Sequence, residues 1–600
     1  MTSASSRRSR ERRALDPRPA AASVSRFGAR ARDSLALAAI LIFATLLMLH
    51  SGSRRGAELM PWPDGLEYAA MAVNLAHGMG PVLHFGGYTY PSRYTAGYPL
   101  ILAAVVPHAL SVSHAYIVTI ALGLLALAAI FTLTRAMFDL QCATIATLVL
   151  ATSPIFITYS TLVLSDVPAM LVTIVAAWLL FAISTNEENF AARPRATLAL
   201  WAGFGLAAGY STAIRPTNAT LLAGLVLAIV MIPPVRFKIA ELAKPLAAFA
   251  AAFAIPVLWL LRINSEYLGG AFRSGYAWWV QEVYGAGGSG FSIAYLFGPT
   301  LPRNPHGNVL IYLSAILGVD GMLGDRGDAR YFLYPFAAAV FAIVGIVAIL
   351  RSGSPRAVRR VLWFGLGFLA ALFALYIFHV FTDVVFLLPG TFVLFIAAGY
   401  GATLANRAMR ATLASSRKTA WQSARAIGVI LLDASLIVAI GAEAVSRLSS
   451  PPLASPLVAT LEQADGQLPP GAAIASNMSL QFLELYLPGN ERKFFGLSSA
   501  DPGESFTDYH LHRLFAKRAQ GWTGPIPPTL FVGDSLSPPA EKLLAAQART
   551  SGGAYLLLCA PESSGYGTVL KDEIGKLGAD FTMTPLIENR FIALFHVVNH

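Results

Sequence analysis

The chain has 600 residues, 55% of them hydrophobic and 13% charged, with a mean hydropathy of +0.58. That composition excludes an ordinary soluble domain and describes a chain that crosses a membrane many times. The net charge of +11 comes from clustered arginines, nine of them within residues 1–32, so it marks topology rather than a nucleic-acid groove. Two cysteines provide no disulfide framework and no metal-type Cys/His spacing.

Residues 1–32 carry RRSRERR and RFGARAR without apolar periodicity and read as a disordered basic tail. The apolar run 34–50 is longer than the core of a signal peptide and lacks a small-x-small cleavage site, so it is expected to remain as a first span. The positive-inside rule then puts the N-terminus in the cytoplasm and the loop 51–97 outside. In that loop a helical pattern begins at Asp64, with Glu67 and Tyr68 three and four positions on, hence on one face. It stops at Gly78 and Gly80. A polar, aromatic stretch follows, with His84, Tyr88, Tyr90 and Ser92-Arg93-Tyr94, and Gly97-Tyr98-Pro99 turns the chain back into an apolar run.

That run, 98–110, is broken by Pro107 and His108 and is too short to span, so an interfacial or re-entrant helix is expected. Ten longer runs follow, near 115–134, 141–158, 167–184, 198–213, 217–232, 245–261, 331–350, 361–381, 384–404 and 426–445, which with the first makes eleven spans. On this count the loops holding Arg135, Arg193/Arg195, Arg236/Lys238, Arg351–Arg360 and Arg407–Arg425 all face the cytoplasm, while Arg262, Arg273, Arg303, Arg326 and Arg330 are exceptions. Asp166 precedes Pro168 at the start of a span, where either it or Ser165 suits a helix cap. Arg215-Pro216-Thr217-Asn218 separates two short spans; an arginine at that depth either snorkels to the headgroups or serves a function. The outer loop 263–330 carries Tyr276, Trp278, Trp279 and Tyr284, which read first as interfacial anchors and second as a surface for sugar or isoprenoid. An amphipathic helix is expected over 308–318. His379 ends one later span and Asp383 begins the next, in HVFTDVVFLLPG.

From residue 446 the composition becomes that of a soluble, mildly acidic domain, after a Ser/Pro-rich linker. AAIAS, PTLFV, AYLLLCA and RFIALFHVV read as strands and 478–487, 505–519 and 564–577 as helices, giving a small α/β domain that parity places outside, in the periplasm of a Gram-negative cell. The expected architecture is an α-helical polytopic membrane protein of about eleven spans, 33–445, with a C-terminal α/β domain, 446–600.

The residues alone gather acids (Asp64, Glu67, Asp166) and arginines (Arg93, Arg215) on one membrane face. Acids beside arginines suit a reaction in which a hydroxyl loses a proton while a phosphate departs. With no nucleotide-binding motif, the expected donor is a lipid-linked sugar. A secondary transporter or lipid-linked sugar translocator is the first alternative, and an envelope assembly or sensor protein with an external binding domain the second.

The ordered series Asp-x-x-x-Tyr, Ala-x-Asn-Leu-Ala-x-Gly-x-Gly and Arg-Tyr-x-x-Gly-Tyr-Pro-Leu, over residues 64–100, resembles the first external loop of polyprenyl-phosphate-dependent (GT-C) membrane glycosyltransferases, relatives of protein O-mannosyltransferases and of the enzymes that decorate lipid A. The resemblance spans roughly 34–232, with a weaker echo at 361–404. It implies a GT-C fold, Asp64 as catalytic base, Asp166 and Glu67 as assisting acids, Arg93 and Arg215 on the donor phosphate, and Tyr68, Tyr94, Tyr98, His379 and Asp383 in support. It implies a polyprenyl-phosphate sugar donor, a cell-envelope acceptor (lipid, polysaccharide or protein) and inversion at the anomeric carbon, and leaves a divalent metal, Mg or Mn, open. Relatives show an arginine after the acid at the 383 turn; here Val385 stands in that place.

Overall fold

The computed structural model describes residues 18–55, 63–105, 112–187, 193–233, 239–301, 305–319, 333–351, 353–415, 419–449, 456–487, 492–498, 508–532, 535–536, 549, 553–559, 581–589 and 592–599. Among the described residues eight helices are long and apolar enough to cross a membrane, nine if Leu140–Ala151 and Pro154–Ser160, bent by 66°, form one broken span. All eleven predicted runs fall on helices of this set or on the shorter helical segments Pro216–Met231 and Phe336–Arg351. Within the short run 98–110 the described residues form the helix Gly97–Val105, and residues 106–110 lie outside the described residues.

Three expectations are corrected. The first helix runs from Arg18 to Arg55, so the second half of the basic stretch read as a tail is helical. Alanine and arginine are strong helix formers and Pro19 is tolerated in a first turn, which explains a helix without apolar periodicity. Residues 1–17 lie outside the described residues. The predicted span 361–381 is displaced: its helix is Arg356–Tyr376, so His379 sits in the turn beyond it rather than at its end. The predicted span 384–404 opens with a 3-10 turn, Val384–Gly390, and its α-helix is Phe392–Ala414.

Arginines at one end of the bundle are paired with acids: Arg135 with Asp33 at 3.0 Å, and Arg407 with Asp139. Arg360, 3% exposed, meets Glu187, Ser184 and the carbonyl of Ile232.

The C-terminal region forms a seven-stranded sheet in the order β6-β5-β4-β3-β7-β9-β8, with β3 (Ala473–Ser476), β4 (Lys493–Ser498), β5 (Thr529–Val532) and β7 (Ala554–Cys559) parallel. β6 (Ser535–Leu536), β8 (Phe581–Glu588) and β9 (Ile592–Asn599) are antiparallel to their neighbours β5 and β9, and β9 to β7. Every β3 residue is buried, as expected of a central strand covered on both faces. β4, β6 and β8 were not read from sequence. β8 holds Pro585 beside a register shift on an edge strand, where proline is tolerated but disguises the strand pattern. The predicted helix 564–577 lies outside the described residues.

One face of this sheet does not stand alone. Leu480, Leu483, Leu511, Leu514 and Ile474 share an apolar core with Leu66, Phe85, Tyr90, Tyr98 and Trp279. The hairpin β1 (Val82–Phe85) and β2 (Tyr88–Pro91) is clasped from the sheet side: Gly86 N donates to Glu484 at 3.0 Å and the Tyr90 hydroxyl to the Pro525 carbonyl at 3.1 Å. Because the first loop and the C-terminal region touch, an even number of crossings separates them. Seven long helices, the broken pair and the segments Pro216–Met231 and Phe336–Arg351 satisfy that when each crosses once.

Candidate active site

The Pro63–Ala76 helix presents Asp64 in its first turn, where the helix dipole favours an acid. It ends as predicted at Gly78 and Gly80, both at positive φ (75° and 87°). The returning strand β2 then delivers Ser92, Arg93 and Tyr94 back against the helix. Arg93 is 7% exposed. Its Nε pairs with Glu67 and its second terminal nitrogen lies 3.6 Å from Asp64 Oδ1. Asp64 keeps 41% of its side chain accessible, so it is the acid of this pair with an open face. The surrounding protein still desolvates the carboxylate and raises its pKa, opposed by Arg93 and by a hydrogen bond from Tyr94.

Glu67 behaves differently. It is wholly buried and accepts from Ser92 Oγ, Arg93 N and Arg93 Nε, while His510 Nε2 lies 3.1 Å from Oε1. Burial alone would raise its pKa, but Arg93 and His510 hold it down to about 2. The four acceptor positions of the Glu67 carboxylate are thus all engaged within the protein. His510 comes from the Tyr509–Ala519 helix of the C-terminal region, where Asp508 caps the helix and also holds His510 Nδ1 at 3.1 Å. No signal in the sequence ties it to Glu67.

A second acid–arginine pair closes the other side. Asp166 opens the Asp166–Thr185 helix and pairs with Arg215, which ends the Pro194–Ile214 helix. Arg215 has the extended backbone (φ −141°, ψ 113°) that a following proline imposes. The capping expectation for this turn is corrected: Ser165 makes no side-chain cap bond, and its hydroxyl instead accepts from Tyr68 at 2.9 Å. Arg215 does not snorkel outward; it is 14% exposed and lies 5.7 Å from the Phe386 ring.

Aromatic side chains join the two pairs. Tyr94 stacks near Tyr68 (4.7 Å), Tyr276 meets Tyr94 edge-on (5.4 Å) and Tyr284 (5.1 Å), and Tyr284 faces His379, its hydroxyl 3.3 Å from Nε2. Trp279, 2% exposed, donates to the Pro91 carbonyl at 2.7 Å, and Trp278 meets Lys517 at 3.9 Å. Trp279 is therefore an internal wall rather than an interfacial anchor, while Tyr276, Trp278 and Tyr284 are half-buried. Gly275 makes that closeness possible: a Cβ there would fall on the Ser92 carbonyl oxygen.

The remaining predicted residues support the turns. The Tyr98 hydroxyl lies 2.5 Å from Thr119 Oγ1 and its ring edge meets Tyr68 at 5.3 Å. His379 Nδ1 is 3.0 Å from the Phe381 carbonyl, and burial lowers its pKa. Asp383 accepts from Val385 N and from the Tyr159 hydroxyl, both at 3.0 Å, so it fixes the Val384–Gly390 turn; Val385 is buried. The predicted amphipathic helix is Gly307–Leu317, and Asn308 ties it to the carbonyls of Tyr376, Ile377 and His379.

Among the described residues no three His, Cys, Asp or Glu converge as metal ligands. Asp64 and Glu67 share Arg93 as their cationic partner.

No protein-family model matches the sequence, and a search of curated proteins returns no match. Solved structures do match. A crystal structure of ArnT from Cupriavidus metallidurans bound to undecaprenyl phosphate superposes with a TM-score of 0.56 at 12% identity, over 93% of this chain and 97% of that chain. The fold is GT-C-like. The Archaeoglobus fulgidus oligosaccharyltransferase in complex with zinc and sulfate matches with a TM-score of 0.51 at 13% identity, over 93% of this chain and 73% of that one. In this GT-C-like chain, the helix after the first apolar helix carries Asp64, and Asp166 opens the helix Asp166–Thr185 that follows the broken pair.

Proposed function

We propose that the protein is a membrane glycosyltransferase that moves a sugar from a polyprenyl-phosphate carrier to a hydroxyl of a cell-envelope acceptor, on the outer face of the cytoplasmic membrane. The observation that carries the reading is Asp64: an acid with an open face, held by Arg93, in a tyrosine-lined site of a GT-C-like fold. An ArnT structure of the same fold binds undecaprenyl phosphate, which supports a carrier of that class here.

In the proposed reaction Asp64 takes the proton of the acceptor hydroxyl as its oxygen attacks the anomeric carbon. The bond from that carbon to the phosphate oxygen breaks, the electron pair leaves with the polyprenyl phosphate, and the anomeric centre inverts. A raised carboxylate pKa makes Asp64 a better base at neutral pH. Arg93 is engaged by Glu67 and Asp64, so its role is to orient the base. Arg215, at the mouth of the second pair, is the side chain suited to the phosphate, where its planar fork matches the oxygens. Asp166 holds that fork until the donor arrives. The acid–arginine pairs lie in the first loop and at the ends of long helices rather than in mid-helix, which favours this reading over a transporter.

The test is release of undecaprenyl phosphate in proteoliposomes supplied with undecaprenyl-phosphate monosaccharides (a hexose, a pentose and an amino pentose) and envelope lipid extract. Wild type should release it from one of them. Asp64→Asn should bind undecaprenyl phosphate normally and lose ~10²–10⁴-fold in turnover. A well-folded Asp64→Asn protein with normal turnover removes the assignment.

A further inference from the structure

The C-terminal region reaches the acid–arginine group through two neighbouring side chains: the Tyr509 ring lies 4.5 Å from the Arg93 guanidinium, and His510 meets Glu67. His510 is 1% exposed, and both ring nitrogens face carboxylates: Nδ1 lies 3.1 Å from Asp508 Oδ1 and Nε2 lies 3.1 Å from Glu67 Oε1. Such a ring needs a proton on each nitrogen, so it is an imidazolium. Trp279, Phe85 and Tyr509 pack around it at 4.7, 5.4 and 5.5 Å and hold its plane.

This cation changes what Arg93 is free to do. Three carboxylates (Asp64, Glu67, Asp508) and two cations (Arg93, His510) lie in one connected group. Glu67, wholly buried, needs more than one positive partner. With His510 supplying one on Oε1, the Arg93 guanidinium binds Glu67 through Nε alone and turns its outer nitrogen toward Asp64. Without His510, Glu67 would draw the whole guanidinium, and Asp64 would lose its orienting cation.

We propose that His510 is a positioning residue for the base: through Glu67 and Arg93 it fixes the orientation and ionisation of Asp64, so that the C-terminal region completes the active site rather than merely covering it. The proposal rests on the glycosyltransferase reading for its kinetic consequence but not for its structural one, and the test separates the two.

Two substitutions dissect the ring. Asn at 510 places its amide nitrogen near the position of Nδ1 and keeps the Asp508 contact, but cannot reach Glu67. Gln reaches toward Glu67 with a neutral donor. In the undecaprenyl-phosphate release assay, His510→Asn should lower kcat roughly 10- to 100-fold with KM unchanged, since misplacing a reacting group without touching substrate costs about that much. His510→Gln should recover most of the loss. Independently of activity, carbodiimide labels protonated carboxyls, and its rate at Asp64 can be read by mass spectrometry. Labelling should be fastest in His510→Asn, intermediate in His510→Gln and slowest in wild type.

Wild-type protein that transfers no sugar, together with that labelling order, would sink the glycosyltransferase reading and keep the positioning role. Active wild type with equal kcat and equal labelling in both variants would overturn the positioning role alone. If His510→Asn fails to fold, His510→Gln carries the test: labelling at Asp64 no faster than in wild type overturns the proposal.

Discussion

The Tyr68 hydroxyl donates to Ser165 Oγ across 2.9 Å, and this bond joins the helix that carries Asp64 to the one that opens with Asp166. Tyr68 is 4% exposed, so nothing replaces the bond if it is lost. Tyr68→Phe should cost about 1–3 kcal/mol of stability, the range for leaving a buried polar group unpaired. It should also slow turnover by loosening the spacing of the two acids. Thermal unfolding in detergent and the release assay check both; unchanged kcat would mean the spacing is held elsewhere.

Glu67→Gln is expected to be a folding variant rather than a mild catalytic one. It leaves Arg93 and His510 buried with their shared anion gone. Breaking a buried ion pair from one side costs about 3–5 kcal/mol. The variant should unfold at markedly lower temperature than Asp64→Asn, whose acid is partly open to solvent; equal unfolding temperatures would show that Glu67 is not the anchor.

Asp166 and Arg215 are predicted to be coupled. Arg215→Met should weaken undecaprenyl-phosphate binding by on the order of tenfold or more, and destabilise by stranding Asp166. Adding Asp166→Asn should restore stability, with a coupling of about 0.5–3 kcal/mol, but not binding. A double variant that binds like wild type would take the phosphate away from Arg215.

Glu484 gives a pH dependence with a definite sign. Burial raises its pKa to about 7, Asp508 adds to the rise, and the bond from Gly86 N opposes it. A raised acid stabilises the fold fully below its unfolded pKa, and that contribution is lost as pH rises through the folded value. The stability difference between wild type and Glu484→Gln, which keeps an acceptor for Gly86, should therefore shift in favour of the variant between pH 4.5 and pH 7 and be level above it. Melting curves across that range test it, and a constant difference would refute the assignment.

The sequence made the bundle readable because each span is a long apolar run, and the loop around Asp64 readable because its glycines and its Arg93-Tyr94 turn are local signals, as is the Arg215-Pro216 turn further on. Asp64, Arg93, Asp166 and Arg215 were all found this way, and the structure pairs them. What was hidden is non-local. Glu67 reads like Asp64 in sequence, and only contact with a histidine 443 residues away shows it to be fully engaged. Trp278 and Trp279 read as anchors because nothing in the loop reveals that the C-terminal region covers them. The edge strand β8 was masked by Pro585.

The contact between Glu67 and His510 also orders the protein's manufacture. The loop bearing Asp64 is made early, but the cation that balances Glu67 is made only after the remaining membrane helices have been synthesised. Until then the nascent site holds an under-compensated carboxylate in an apolar setting, an unstable arrangement that invites quality control. A chain cut short before residue 510 would keep Asp64 and its membrane bundle, yet should be cleared rather than accumulate as a partly working enzyme.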